Sequence, residues 1–323
     1  MKIPFLQRSR TAPEEQLTTR EHVIWGYRLF LDREPESEAR VIDKVTAWRS
    51  VRQLRVDFMT SQEFRDKNPD LAMTNEPLVV IREIAPGLRL FIDLSDQVVG
   101  MGVLRGRYET EEIEFVRRHV RPGDNVIDIG ANIGFFTMNL AAMVGPGGKV
   151  YAFEPSPRVG DLLERSVAEN KFGDRVVVAR AAAADQPGRL GLFVGADSLN
   201  LSGSYLMKDK TAADAPGQIV EVPVVQLDLE PIRRPVSFIK IDVEGAEPLS
   251  LRGARNILRE DKPTILAELN PSQLAKVAGC SPGEFLAEME SLGYACRTLG
   301  GKPVSASQTF PEGDILSVVF APR

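Results

Sequence analysis

The feature that most constrains the fold is a regular alternation of short apolar runs and amphipathic stretches after residue 125. Six runs have the length and the β-branched content of buried strands: 126–129, 150–153, 176–180, 220–226, 238–242 and 265–269. Four stretches have helical periodicity: 135–143, 159–170, 247–259 and 282–292. Strands that alternate with helices predict an α/β fold with a mostly parallel sheet and helices on both faces. Two closing runs, 295–299 and 315–320, are expected to add an antiparallel edge.

The residues before this alternation predict a separate helical module. The expected organisation is a flexible N-terminus at 1–16, a helical module at 17–68, a linker at 69–77 and an α/β domain at 78–323. Thr18 or Thr19 is a candidate N-cap for the first helix, and Ser50 opens the third. A β-hairpin is predicted at 78–94. Aromatic residues at helical spacings are expected in the core of the module: Trp25, Tyr27, Phe30 and Trp48.

Composition narrows the class of protein. The 323 residues carry a net charge of −5, which disfavours non-specific nucleic-acid binding. The two cysteines, Cys280 and Cys296, form no CxxC pair, which fits a reducing cytoplasm. No apolar run approaches the roughly 18 residues of a membrane span. We therefore expect a cytoplasmic protein. With only His22 and His119 available, a multi-histidine metal site is nearly excluded.

The richest motif, VIDIGANIGFFT (126–137), leads from a strand through a glycine turn into a helix. Gly130 and Gly134 allow unusual φ values and close approach of a ligand. The helix N-terminus favours a negative group such as the carboxylate of a methionine-like ligand. The spacing is GxxxG led by Asp128, not the GxGxxG that seats a pyrophosphate. The pattern suits a ligand with an amine, although a βα turn alone also requires glycines.

A second motif, VYAFEP (150–155), ends the next strand. Glu154 lies 26 positions after Asp128, at the tip of the neighbouring strand. A carboxylate in that place can accept both hydroxyls of a ribose. The alternative is a solvated loop glutamate, but the glycine turn and Glu154 together favour a nucleoside site.

The third motif, FIKIDVEGAE (238–247), places charged residues at the end of an apolar strand. If the strand continues, Lys240, Asp242 and Glu244 share one face. Such charges are costly to bury unless they are paired, so an ion-pair network is one interpretation. The catalytic hypothesis makes Asp242 or Glu244 a general base and Lys240 an orienting residue. A divalent cation held by Asp242, Glu244 and Glu268 is a further possibility.

The segments DIGANIGFFT, FEPSP and FIKIDVEGAE together resemble the FkbM family of S-adenosylmethionine-dependent methyltransferases, over roughly residues 95–270. The resemblance implies a class I, Rossmann-like methyltransferase fold. It also implies O-methylation of sugars or of glycosylated and polyketide-type metabolites, with S-adenosylmethionine as cofactor.

By position, the resemblance assigns cofactor-binding residues: Tyr108, Glu109, Asp128, Gly130, Asn132, Gly134, Phe135, Glu154, Pro155 and Asp242. Tyr108 and Glu109 are expected to close over the cofactor, and LNLSGSYL (199–206) to lie near it. The contact to the adenine is not predicted, because ARAAAADQPG (179–188) lacks the expected acidic or amide residue close to the third strand.

The N-terminal segments YRLFLDREPES and VDFMTSQEF resemble the DUF4214 type of helical module found in bacterial surface and glycan-related proteins. The expected partner is therefore a small-molecule or glycan acceptor. Two rival hypotheses remain: a nicotinamide-dependent oxidoreductase on a similar sheet, and a non-catalytic module that binds a glycan or a protein.

Overall fold

The computed structural model describes residues 17–67, 79–93, 96, 98–106, 108–195, 204–207, 217–311 and 313–323. They fall into two compact units, one within residues 1–78 and the other within 79–323. The flexible N-terminus predicted at 1–16 and the linker predicted at 69–77 lie outside the described residues. None of the described helices combines the length and the apolar character that crossing a bilayer requires.

The first unit is helical, and its helices begin near the predicted caps. They are α1 (Arg20–Leu31), α2 (Glu38–Ala47), α3 (Val51–Thr60) and α4 (Gln62–Lys67). Thr19 caps α1 and Ser50 caps α3, because each side chain accepts a backbone N–H of the first turn. Phe58 is buried and meets Tyr27 edge-on at 4.9 Å between ring centroids. The prediction for Trp25 was wrong: its position on α1 leaves it 54% exposed.

The second unit contains the remaining elements. Its helices are α5 (Val99–Arg105), α6 (Thr110–His119), α7 (Phe135–Val144), α8 (Pro157–Glu169), α9 (Glu247–Arg252), α10 (Arg255–Glu260), α11 (Pro271–Val277) and α12 (Pro282–Ser291). Its strands are β1 (Val79–Ala85), β2 (Leu88–Asp93), β3 (Asn125–Ile129), β4 (Lys149–Phe153), β5 (Val176–Ala179), β6 (Ala182–Ala183), β7 (Gly188–Gly195), β8 (Tyr205–Met207), β9 (Gly217–Val225), β10 (Val236–Ile241), β11 (Thr264–Leu269), β12 (Tyr294–Thr298), β13 (Pro303–Val304) and β14 (Leu316–Pro322). The hairpin β1–β2 confirms the prediction for 78–94.

An eight-stranded sheet organises this unit, in the order β13-β12-β14-β11-β10-β3-β4-β5. Five neighbouring strands of this sheet are parallel: β11, β10, β3, β4 and β5. The strand β14 runs antiparallel to both of its neighbours, β11 and β12. This order confirms the Rossmann-like α/β fold. The strand order reverses between β3 and β10, and ligands bind at the carboxyl ends of strands beside such a switch point.

Two details of the sheet differ from the prediction. The closing strands β12 and β14 form an antiparallel end of the sheet, as predicted, but β14 is inserted between β11 and β12 and the short strand β13 forms the edge. The run predicted as a parallel-sheet strand at 220–226 lies in β9, which belongs to a separate four-stranded sheet of order β6-β9-β7-β8. Buried Val222 and Val224 alternate with exposed Glu221 and Pro223, which is typical of an antiparallel strand with one covered face.

Candidate active site

A cavity of about 320 Å³ opens over the carboxyl ends of β3, β4 and β10. Ten residues predicted for the site line its wall: Tyr108, Glu109, Gly130, Asn132, Phe135, Glu154, Pro155, Lys240, Asp242 and Glu244. The parallel sheet explains this convergence, since it brings three separated motifs to one edge. Asp128 and Gly134 were predicted with them but are not among the lining residues.

Gly130 is required where two strand ends touch. Its φ is 79°, and a Cβ at this position would lie 1.9 Å from the carbonyl oxygen of Asp242. The backbone N–H of Asp242 donates to the carbonyl of Ile129 at 3.0 Å, which fixes this approach. A side chain at residue 130 would therefore force the end of β3 away from the end of β10.

Gly134 and Asp128 face the protein interior and stabilise the glycine turn on the side away from the cavity. Gly134 caps α7 with φ 94°, and a Cβ there would lie 2.6 Å from Leu163 Cδ1. Asp128 is buried, and its carboxylate accepts a hydrogen bond from the Thr137 hydroxyl at 2.5 Å. Burial raises the pKa of Asp128 to about 6. The geometry thus favours a positioning role for Asp128 over direct contact with a ligand.

Glu154 is held by backbone donors on both carboxylate oxygens. One oxygen accepts the N–H of Asn132 and the other the N–H of Ser156, each at 2.8 Å. Asn132 adopts a left-handed φ of 52°, which accompanies the turn of its N–H towards Glu154. Burial raises the pKa of Glu154 to about 7. Each oxygen keeps a further lone pair, so the carboxylate can still accept hydroxyl donors in the cavity.

Lys240 and Asp242 form an ion pair at the carboxyl end of β10, beside the switch point. The Lys240 Nζ lies 3.3 Å from an Asp242 carboxylate oxygen and 4.7 Å from the centroid of the Phe136 ring. Burial disfavours the charged ammonium, but the carboxylates of Asp242, Glu109 and Asp128 outweigh this effect and raise the pKa of Lys240. The ammonium therefore stays charged and positions the Asp242 carboxylate.

The strand does not continue to Glu244, as the shared-face hypothesis required. β10 ends at Ile241, and Glu244 adopts a left-handed φ of 51° in the turn that follows. Glu244 reaches the same cavity wall through this turn instead. The pKa of Glu244 is raised to about 7, mainly by burial and further by the negative charges of Asp242 and Glu247.

Two more carboxyl groups lie at this end of the cavity. Burial, together with the charge of Asp242, raises the pKa of Glu268 to about 8 and also raises that of Glu109. The carboxyl groups of Asp242, Glu244 and Glu268 line one wall, but within the described ranges no group of three or more His, Cys, Asp or Glu side chains is arranged to hold a metal ion.

Several wall residues were not found from the sequence. Val98 and Val99 come from the start of α5, and Leu192 comes from the four-stranded sheet. Their type and spacing are those of ordinary core residues, so no local signal distinguishes them. Ala182 and Ala183 line the cavity next to β5, where no adenine contact was predicted, and their small side chains leave space.

The serine-containing stretch at 199–206 lies partly outside the described residues. Its described part includes Ser204 and Leu206, and both line the cavity. The expected proximity of 199–203 to the cofactor stays a prediction.

The switch-point cavity and the sheet order define a Rossmann-like α/β domain of the methyltransferase class. Residues 128–296 match the family described as the methyltransferase FkbM domain, which is more than half of the chain. The chain therefore belongs to the FkbM methyltransferase family, whose methyl donor is S-adenosylmethionine.

Individual relatives also match over part of the chain. The chain is 32% identical over 163 residues to the 31-O-demethyl-FK506 methyltransferase FkbM of Streptomyces tacrolimicus, covering 42% of this chain and 62% of that protein. It is 25% identical over 177 residues to a probable cobalt-precorrin-6B C(15)-methyltransferase (decarboxylating) of Pyrobaculum aerophilum, covering 53% of this chain and 86% of that protein. The crystal structure of methyltransferase FkbM from Methylobacillus flagellatus matches with 19% identity and a TM-score of 0.38, over 70% of this chain and 55% of that one.

Proposed function

We propose that the protein is an S-adenosylmethionine-dependent O-methyltransferase that acts on a hydroxyl of a sugar, a glycan or a glycosylated metabolite. One observation carries the proposal: Glu154, a carboxylate ready to accept hydroxyls, shares a cavity with the Lys240–Asp242 pair. In this proposal residues 78–323 form the catalytic domain and 17–68 a helical module. The location is cytoplasmic, in keeping with two free cysteines.

The donor set of the cavity fits the cofactor. Glu154 would accept the ribose hydroxyls, and the turn from Gly130 to Phe135 would hold the methionine part near the N-terminus of α7. Tyr108 and Pro155 would close the site over the nucleoside. When bound, S-adenosylmethionine supplies a methyl group on a positively charged sulfur, which an acceptor oxygen can attack directly.

The protein residues then have to position the acceptor and remove its proton. Asp242 would accept the hydroxyl proton as the new oxygen–carbon bond forms, and a positioned base of this kind contributes about 10²–10⁴-fold. Lys240 would hold the Asp242 carboxylate in place. Glu244 is the alternative base, since it lines the same wall. A divalent cation that lowers the pKa of the hydroxyl would make these carboxylates ligands instead.

Oxygen is proposed as the acceptor atom because the site offers a carboxylate base beside an ammonium. The relatives are named for different acceptor atoms, one for an O-methyl and one for a C-methyl product. A carbon acceptor requires stabilisation of a carbanion. A hydroxyl needs only the proton acceptor that Asp242 provides.

Equilibrium binding separates the cofactor hypotheses. We expect S-adenosylmethionine and S-adenosylhomocysteine to bind and NAD not to bind. Tight binding of NAD alone would support the nicotinamide oxidoreductase, and binding of none of the three would support a non-catalytic module. A screen of nucleotide sugars and glycosides with labelled S-adenosylmethionine, with and without chelator, then identifies the acceptor and any need for a metal.

Asp242→Asn tests the assignment of the base. We expect the rate constant kcat to fall by about 10²–10⁴-fold, because the amide cannot accept the proton. The affinity for S-adenosylhomocysteine should stay within about threefold, since Asn keeps an oxygen for Lys240 and the ribose contact is Glu154. Normal turnover by this variant would transfer the role to Glu244.

A further inference from the structure

A smaller cavity adjoins the proposed active site at the Lys240–Asp242 pair. We call it the side cavity; it has a volume of about 180 Å³, and its polar lining consists of Glu109, Glu112, Lys240, Asp242, Glu268 and Ser317. Four of these residues also line the larger cavity: Glu109, Lys240, Asp242 and Glu268. The two spaces therefore meet at the side chains to which the proposed function assigns the chemistry.

The size of the side cavity limits what can enter it. Typical ligand pockets measure about 300–1,000 Å³, so this space suits one small ring and not a polycyclic group. Its apolar lining is confined to Leu266 and Ala267 on β11, and the polar residues listed above surround the rest. A ring that fills it must carry many hydrogen-bond donors, because carboxylates are acceptors when ionised.

The charges of the lining are unbalanced. Four carboxyl groups and one ammonium line the side cavity, and in the described part of the chain Lys240 is the only cation in that lining. Burial raises the pKa values of Glu268 and Glu109, so the negative charge that faces the side cavity is mainly that of Asp242 and Glu112. Asp242 takes the ion pair with Lys240. Glu112 accepts a hydrogen bond from the Ser317 hydroxyl at 2.7 Å, which leaves its negative charge uncompensated. An anionic group placed here would face like charges at short range.

We propose that the side cavity binds a single polyhydroxyl ring without negative charge, and that it favours a ring that bears an ammonium group. Glu112 acts in this proposal as a specificity-determining residue, since it adds negative charge to the side cavity and is not part of the proposed chemistry. The inference rests on the proposed function, because the ring would present its hydroxyl to Asp242.

Three methyl glucosides that differ only at carbon 6 test the charge preference. They are the 6-amino-6-deoxyglucoside, the unmodified glucoside and the glucuronide, which are cationic, neutral and anionic. Their binding to the full chain saturated with S-adenosylhomocysteine is measured by calorimetry or ligand-observed NMR. We expect affinity to fall in that order, with the glucuronide at least about tenfold weaker than the amino compound because like charges face it.

Two variants of α6 show whether the side cavity sets this order. Glu112→Gln keeps an oxygen for Ser317 but removes the charge, so the ratio between amino compound and glucuronide should fall about threefold. Glu111→Gln removes the same charge one residue earlier on the helix, outside the lining, and should leave the ratio unchanged. Ser317→Ala, which removes the hydrogen bond and keeps the charge, should also preserve the ratio.

The possible failures are distinguishable. A glucuronide that binds as tightly as the glucoside overturns the selection against anions, and equal binding of the amino compound and the glucoside overturns the preference for a cation. If S-adenosylhomocysteine binds but none of the three sugars does, the side cavity is not a sugar-ring site and the cofactor site still stands. If S-adenosylhomocysteine does not bind, the proposed function itself fails. The wild-type series decides the matter even if Glu112→Gln does not fold.

Discussion

The two ends of the active-site cavity hold their carboxylates in opposite ways. At the glycine-turn end, Glu154 is fixed by two backbone N–H groups of the turns that follow β3 and β4. At the other end, the carboxylate of Asp242 pairs with the Lys240 ammonium, and further carboxyl groups crowd the same wall. One end is arranged by the main chain and the other by side chains that repel or attract each other.

The way in which each carboxylate is held determines what each end of the cavity can do. A carboxylate fixed by backbone N–H groups keeps its position whatever side chains surround it, which suits recognition of a constant cofactor. At the other end, burial and then the charges of Asp242 and Glu244 raise the pKa of Glu268 to about 8. Groups of this kind suit proton transfer and selection among acceptors.

The largest expected effect comes from the point where the two ends meet. Gly130→Ala should lower the free energy of unfolding by about 4 kcal/mol. This value combines about 1–2 kcal/mol for the left-handed backbone with about 1–3 for the collision with the Asp242 carbonyl. Gly123→Ala is the matched control, because its φ is also positive and its Cβ would meet nothing within 4 Å. Chemical denaturation that gives equal losses would show that the two strand ends are not in tight contact.

The next effect distinguishes the two ends by cofactor affinity. Glu154→Gln should weaken S-adenosylhomocysteine binding about 100-fold, since hydrogen bonds to a charged group are lost and the new amide N–H₂ faces backbone donors. Glu268→Gln changes a carboxyl at the opposite end and should leave the affinity within about threefold. Titration calorimetry measures both affinities. Equal losses of affinity in the two variants would mean that cofactor binding is not confined to the Glu154 end.

A pH profile tests the buried carboxyl group of Glu247, which lies behind the Asp242 end of the cavity and is held by backbone N–H groups. Burial raises the pKa of Glu247 from 4.5 to about 7, so the folded state binds this proton more tightly than the unfolded state does. The stabilising effect is complete below pH 4.5 and is lost as the pH rises through 7. Glu247→Gln stays neutral and keeps an acceptor for the N–H of Val243, so its free energy of unfolding should fall by about 2 kcal/mol less over this window.

Glu284→Gln is the control for the pH profile. Glu284 is exposed and its pKa is lowered by the N–H and the hydroxyl of Ser281, so it titrates below this window. Its variant should follow the wild-type slope between pH 4.5 and 7. If Glu247→Gln follows that slope as well, folding does not raise the pKa of Glu247.

The smallest expected effect tests whether Asp128 positions the glycine turn without contacting the cofactor. Thr137→Val removes the hydroxyl that donates to Asp128 and should cost about 1.5 kcal/mol of stability. The affinity for S-adenosylhomocysteine should change less than about threefold, because Asp128 does not line the cavity. Thr137→Ser keeps the donor and should preserve most of the stability. A loss of affinity beyond tenfold in Thr137→Val would identify Asp128 as a direct contact.

The sequence predicted the parallel strands of the large sheet and ten of the cavity-lining residues for one physical reason. Motifs that follow parallel strands of one sheet lie at the same edge, so Gly130, Glu154 and Asp242 converge where β3, β4 and β10 are neighbours. The partner of Asp128 was not predictable in this way, because Thr137 becomes its neighbour only through the packing of α7 on β3. The walls from α5 and the four-stranded sheet were also missed, because an apolar residue such as Leu192 or Val99 has the same pattern in any core.

The position of β14 has a consequence for how the site is assembled. This strand follows both of its neighbours, β11 and β12, in the chain, yet it lies between them and brings Ser317 opposite Glu268. During synthesis from the N-terminus, the glycine turn and Glu154 can pair their strands long before β14 exists. The side cavity, which Ser317 lines, is completed only when β14 joins the sheet. The glycine-turn half of the cavity can thus take shape first, and the side cavity, which we propose as the acceptor site, is completed by the final strand of the sheet.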